Sequence, residues 1–228
     1  RAKGGAALLV TEIIAVDPEA IAQSSTVTGF DTTNEDAFRA IAVDVQKEGA
    51  MIIGQLWHPG RQQLWHPTKS PIGVSNLPDP YSGTVPHVMD KNEVYRVAEA
   101  YIDTAKRLAQ CGFDGVELHG AHGYLITQFL SAASNNRNDE FGGDTKSRTL
   151  FARRIANGIK EACGWVKGAS QILLGIIEAT EGFMADAERG VMDVRKLAEE
   201  FLTERGKDIR RLEDFARIGK RCADALRE

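Results

Sequence analysis

The stretch Phe113-Asp114-Gly115-Val116-Glu117-Leu118, followed at once by His119-Gly120-Ala121-His122-Gly123-Tyr124, decides how this chain folds. The first six residues form a short apolar run behind Gly112 and a helical pattern, which reads as a buried parallel strand. Two imidazoles and a phenol then crowd the carboxyl end of that strand. In α/β folds this is where active sites are built. Neighbouring His donors can polarise a carbonyl or hold an oxyanion. A Tyr beside them stays protonated at neutral pH and can deliver a proton.

Working outward, Ala7–Glu12 and Met51–Leu56 read as strands, and Ile172–Ile177 reads as a further one. Asn34–Glu48 reads as a helix with Asn34 at its N-cap and Gly49 just past its end. Lys91–Gln110 is amphipathic, with Val94, Val97, Ala98, Tyr101, Ala105 and Leu108 along one side. Thr145–Ala162 is another expected helix. The Pro-, Gly- and Ser-rich stretch His58–Met89 reads as a long loop of the kind that usually carries function. Strands alternating with helices of this size predict an α/β fold of parallel βαβ units.

The chain has 228 residues, 43% hydrophobic and 26% charged, as in an ordinary globular protein. A formal net charge of −4 argues against a nucleic-acid or membrane footprint. The three cysteines, Cys111, Cys163 and Cys222, are scattered and suit reduced thiols in a cytoplasmic protein. No run approaches the ~20 apolar residues of a membrane helix. Arg1 enters a helix-to-strand pattern at once, so the chain reads as the interior of something longer.

The block His119-Gly120-Ala121-His122-Gly123-Tyr124, with Gln128-Phe129-Leu130 and Asn135 to Gly143 after it, resembles the old yellow enzyme family of FMN-dependent ene-reductases. Gln55-Leu56-Trp57-His58-Pro59-Gly60-Arg61 is similar to that family's flavin-contacting strand. The resemblance runs from about Arg1 to Gly164. It implies a TIM (β/α)8 barrel, of which this chain holds about strands two to five, truncated or divergent. A full barrel needs about 250 residues. The expected organisation is a partial barrel over residues 1–180 and a charged helical segment over 181–228 packed on the same domain.

The resemblance further implies NADH or NADPH as reductant, FMN as hydride carrier and an α,β-unsaturated carbonyl as substrate. His119 and His122 would hold the enone oxygen, Tyr124 would protonate the α-carbon, Gln55 would contact the flavin edge, and Trp57, with His58, would line the substrate pocket. Asn135, Arg137, Asp139 and Glu140 read as architecture, with Arg137 paired to Asp139 or Glu140.

Some residues depart from the family. Ile177 stands where an Arg beside the flavin is expected, and Ile13 and Ile14 stand where a small residue usually lies. No Gly-rich phosphate cradle is visible, and the spaced cysteines argue against an iron–sulfur cluster. One rival is therefore a non-catalytic barrel relative acting as scaffold or subunit without flavin. A second is a metal-dependent hydrolase with His119 and His122 as ligands, weakened by the lack of a third ligand nearby; no metal is expected. Open sheet edges would favour a homo-oligomer.

Overall fold

The computed structural model describes residues 1–63 and 69–163, together with the backbone of Ile172–Leu173. In chain order the elements are β1 (Leu8–Ala15), β2 (Val27–Thr28), α1 (Glu35–Lys47), β3 (Met51–Trp57), β4 (Ile72–Gly73), β5 (His87–Val88) and α2 (Lys91–Gln110). These are followed by β6 (Gly115–Leu118), α3 (Leu125–Leu130), α4 (Thr145–Arg148), α5 (Leu150–Cys163) and β7 (Ile172–Leu173). The expected C-terminal helices over 181–228, their domain boundary, Ile177 and Cys222 lie outside the described residues.

The main sheet runs β2-β1-β3-β6-β7 with every pair parallel. The chain thus steps from β1 through α1 to β3, through α2 to β6, and through α5 to β7. This is the progression of consecutive βαβ units that a barrel segment requires.

Strand alternation divides the sheet into two faces. Ile14, Ile52, Leu56, Val116 and Leu118 join Phe38 and Ala42 of α1 and the apolar stripe of α2 in one core. Val94, Val97, Ala98, Tyr101, Ala105 and Leu108 of that stripe are all fully buried, as the 3.6-residue period predicts. Gly54 permits the close seating of α2, since a Cβ there would stand 2.5 Å from Leu108 Cδ1. The other face carries Ala15 and Trp57, packed with Ile13 and Tyr124.

Helix α2 starts where a full capping box forms: Asp90 accepts from the Glu93 N–H and Glu93 accepts from the Asp90 N–H, both at 2.8 Å. Helix α1 differs from expectation. Asn34 occupies the N-cap position but makes no cap bond, its amide donating instead to the Thr28 carbonyl and hydroxyl. Asp31 caps the 3₁₀ turn just before it.

Strand β1 reaches beyond Glu12 to Ala15, because an irregularity between Val10 and Ile13 restores its pairing with Gln55, Leu56 and Trp57. There the Thr11 hydroxyl accepts the Gln55 N–H at 3.0 Å. Residues Phe113 and Asp114 precede β6 rather than belonging to it, and Asp114 clamps the Ile52 N–H with its carboxylate. The expected helix over 145–162 is broken at Thr149 into α4 and α5. The long loop contains the parallel pair β4–β5, and α3 was not visible in the apolar pattern because it spans only 6 residues.

The close contact at Gly54 generates a stability prediction. Gly54→Ala should lower the unfolding free energy by about 1–3 kcal/mol through overpacking. Combined with Leu108→Ala, the loss should fall short of the sum, because the truncated side chain no longer meets the new methyl. Urea denaturation of the single and double variants checks both.

Candidate active site

Three strands end at one level. Ala15 pairs with Trp57, Leu56 with Leu118, and the His119 N–H donates to the Leu56 carbonyl at 2.9 Å. One step earlier, Ile13, Gln55 and Glu117 stand side by side on the same face as Ala15 and Trp57. Of the two isoleucines that depart from the family, Ile13 faces this side and Ile14 is turned into the helix-facing core. Small Ala15 therefore lies beside Trp57 at the strand ends.

His119, His122 and Tyr124 come together. Ring centroids lie 5.1 Å apart for His119–His122, 5.0 Å for His119–Tyr124 and 6.1 Å for His122–Tyr124, all edge to face. Trp57 joins the group with its ring 5.2 Å from Tyr124. A tight turn gathers them: the Tyr124 N–H donates to the Ala121 carbonyl at 3.2 Å. His122 adopts a left-handed backbone at φ 59°, unusual for a residue with a Cβ, and Gly123 follows at φ 74°. The Gln62 amide holds this turn by donating to the His122 carbonyl at 3.0 Å.

His119 is neutral at physiological pH. Burial, and then the charge of His122, push its pKa down from 6.5 to about 4. Its Nδ1 accepts from the Ala121 N–H at 3.4 Å, which leaves the proton on Nε2. Trp57 is buried, and its Nε1–H meets no acceptor among the described residues. Gln55 is half-buried; its Nε2 donates to Glu117, and its Oε1 accepts from no described residue. Unfilled donors and an unfilled acceptor thus share one face.

His58 does not join this group. It is buried, and burial, opposed by Asp17, lowers its pKa to about 4. Its Nδ1 accepts from the Gly60 N–H at 3.0 Å. The loop Asn135–Gly143 is architecture, as expected. Arg137 pairs with Asp139 at 2.6 Å and donates to the Val74 and Met89 carbonyls, while Glu140 pairs with Lys91.

Gln128, in the motif Gln128-Phe129-Leu130, is the most connected residue of the site. It is 2% exposed, donates to the Pro59 and Gly123 carbonyls at 3.0 and 2.8 Å, and accepts from the Arg61 N–H at 3.2 Å. One amide therefore ties the loop after β3 to the turn after β6. The sequence signal was a Gln inside the apolar face of a six-residue helix. No three His, Cys, Asp or Glu side chains among the described residues could hold a metal ion together.

Residues 1–213 match the model of the NADH:flavin oxidoreductase / NADH oxidase family. The chain belongs to that family, the old yellow enzymes. The match runs well past Gly164, where the motifs fade. A curated NADH oxidase of Thermoanaerobacter brockii is 37% identical over 167 residues, covering 72% of this chain and 26% of that protein. An NADPH dehydrogenase of Clostridium acetobutylicum is 33% identical, covering 73% of this chain and 48% of its own length. A solved morphinone reductase superposes with a TM-score of 0.65 at 27% identity, over 72% of this chain and 50% of its own. This old yellow enzyme chain thus spans half or less of these relatives, and its fold is part of a TIM barrel.

Gln128→Leu should destabilise the protein by about 2–4 kcal/mol, because it strands two carbonyls and an N–H in a buried place; thermal and urea unfolding measure this. For His58, the folded protein holds the ring neutral down to about pH 4, while the unfolded imidazole protonates near 6.5. Unfolding therefore takes up a proton in that window, so stability falls as pH drops from 6.5 towards 4 and is level above it. His119 adds a second proton of the same sign. His58→Asn keeps an acceptor for Gly60 without a titrating ring, and should make the pH dependence of the urea midpoint visibly shallower.

Proposed function

We propose that this chain is the substrate-side part of an FMN-dependent ene-reductase using NADH or NADPH. The observation that carries the reading is the cluster of His119, His122 and Tyr124 at the end of the strand whose Glu117 pairs with the half-buried Gln55. The donor set fits a flavin edge, since Gln55 offers an unfilled Oε1 acceptor and a second Nε2 hydrogen beside it. When bound, FMN would supply the hydride that reaches the β-carbon of an α,β-unsaturated carbonyl.

The protein's own part is orientation and proton supply. His119 Nε2–H and His122 would donate to the carbonyl oxygen, drawing electron density from the β-carbon. A neutral imidazole suits this role, as it carries a donor without a charge to be desolvated. Tyr124 would give its phenolic proton to the α-carbon. Trp57, whose ring abuts Tyr124, would wall the substrate pocket and exclude water from it.

A non-catalytic scaffold role is the alternative, motivated by Ile177 in place of the expected Arg. Incubation with FMN followed by desalting separates the two. A retained flavin band, bleached by NAD(P)H and restored by cyclohexenone, is the expected result; absence of retained flavin overturns the enzyme reading. In the flavin-loaded protein, Tyr124→Phe should slow enone reduction by about 10²–10⁴-fold. It should leave bleaching by NAD(P)H unchanged, as stopped-flow absorbance will report. Equal slowing of both half-reactions would remove Tyr124 from the proton role.

A further inference from the structure

Glu117 takes no part in the site described so far, yet it stands in it. It is 3% exposed and forms no ion pair with any described residue. The register sets it directly opposite Gln55 across β3 and β6, and the Gln55 Nε2 donates to its Oε1 at 2.5 Å. On the other side of Gln55 the same level is filled by Ile13, which has nothing to donate or accept. Among the described residues, Glu117 is therefore the sole partner of the Gln55 side chain.

This has a chemical consequence. A glutamine amide can turn over about its last bond, exchanging its oxygen and nitrogen at little intrinsic cost. The Glu117 oxygen beside Gln55 is an acceptor, so it is matched by the amide nitrogen and not by the amide oxygen. We infer that Glu117 is a positioning residue that fixes the Gln55 amide in one orientation, Oε1 outward as acceptor and the second Nε2 hydrogen beside it as donor. That ordered pair sets an acceptor and a donor against a ligand edge that carries an N–H next to a carbonyl. The cofactor half of this inference rests on the flavin reading above, because a flavin's pyrimidine edge carries that pattern. The orientation half rests on the protein alone.

The experiment therefore has two readouts. The first is the Gln55 side-chain amide in a ¹⁵N–¹H spectrum of the ligand-free protein, assigned by its loss in Gln55→Ala. One of its two protons should lie downfield and exchange slowly with water, and Glu117→Gln should abolish both properties. Two ordinary, rapidly exchanging protons in the unsubstituted protein overturn the inference without recourse to any variant. The second is FMN affinity by fluorescence quenching. Glu117→Gln should weaken it about tenfold, as expected for losing one fixed hydrogen-bonding orientation. In the Gln55→Ala background the same substitution should change affinity little, since Glu117 acts through Gln55. An undiminished effect in that background overturns the positioning role. If the unsubstituted protein binds no FMN, the flavin reading fails and the cofactor half falls with it, while the amide spectrum still decides the orientation.

Discussion

The site depends on the parallel pairing of β3 with β1 on one side and β6 on the other. A strand's side chains alternate with a period of two, so a slip of one residue would exchange the two faces completely. The irregularity in β1 makes this concrete. Val10 pairs with Ile53, but Ile13 pairs with Gln55, so three steps on β1 match two on β3. The extra residue switches which parity of β1 shares a face with Gln55. Without it Ile14 would crowd Trp57, and Ala15 would face the helices. With it, Ile14 fills the core at 1% exposure and the small Ala15 lies at the strand ends.

Register alone places strand ends, not the loops beyond them. Those loops have backbone groups that no ladder satisfies, and each such group, if buried, needs a partner. Side chains supply them. Gln128 joins the Pro59–Arg61 segment to Gly123, Arg137 collects the Val74 and Met89 carbonyls, and Asn135 donates to the Phe129 and Phe141 carbonyls at 2.7 and 2.8 Å. Arg148 does the same for Leu130 at 2.9 Å. Gln128, Asn135, Arg137 and Arg148 thus hold the loops around the strand ends in place by satisfying their backbone groups.

This division explains what was legible in the sequence. The α2 stripe and the β3 run announce themselves, because long periodic burial writes its period into the residues. The grouping of His119, His122 and Tyr124 could be read too, since the three lie within six positions at a strand end. The β1 bulge could not, because Ile13-Ile14 is apolar at both parities and gives no phase. Asn34 misled for a related reason: an Asn at a helix start has two uses, and here the nearby Thr28 claims its amide. Short elements such as α3 and β4 carry too few turns to show a period. Gln128 and Glu117 matter through long-range partners, 69 and 62 positions away, and no local pattern encodes such distances.

The charge state of the site has its own logic. A carboxylate and an imidazole two residues apart on one strand face invite an ion pair, which would draw the imidazole away from any ligand. Two features oppose that outcome here. Glu117 already gives an oxygen to Gln55, and burial with a second histidine beside it keeps His119 uncharged well below neutral pH. Placing His122 near His119 raises the cost of protonating His119. The strained backbone at His122 contributes to the same end, because φ 59° there, followed by Gly123, turns the chain sharply enough to bring the second ring within 5.1 Å of the first. Strain, burial and like-charge proximity therefore converge on one result, an uncharged hydrogen-bond donor at the end of β6 beside a phenol.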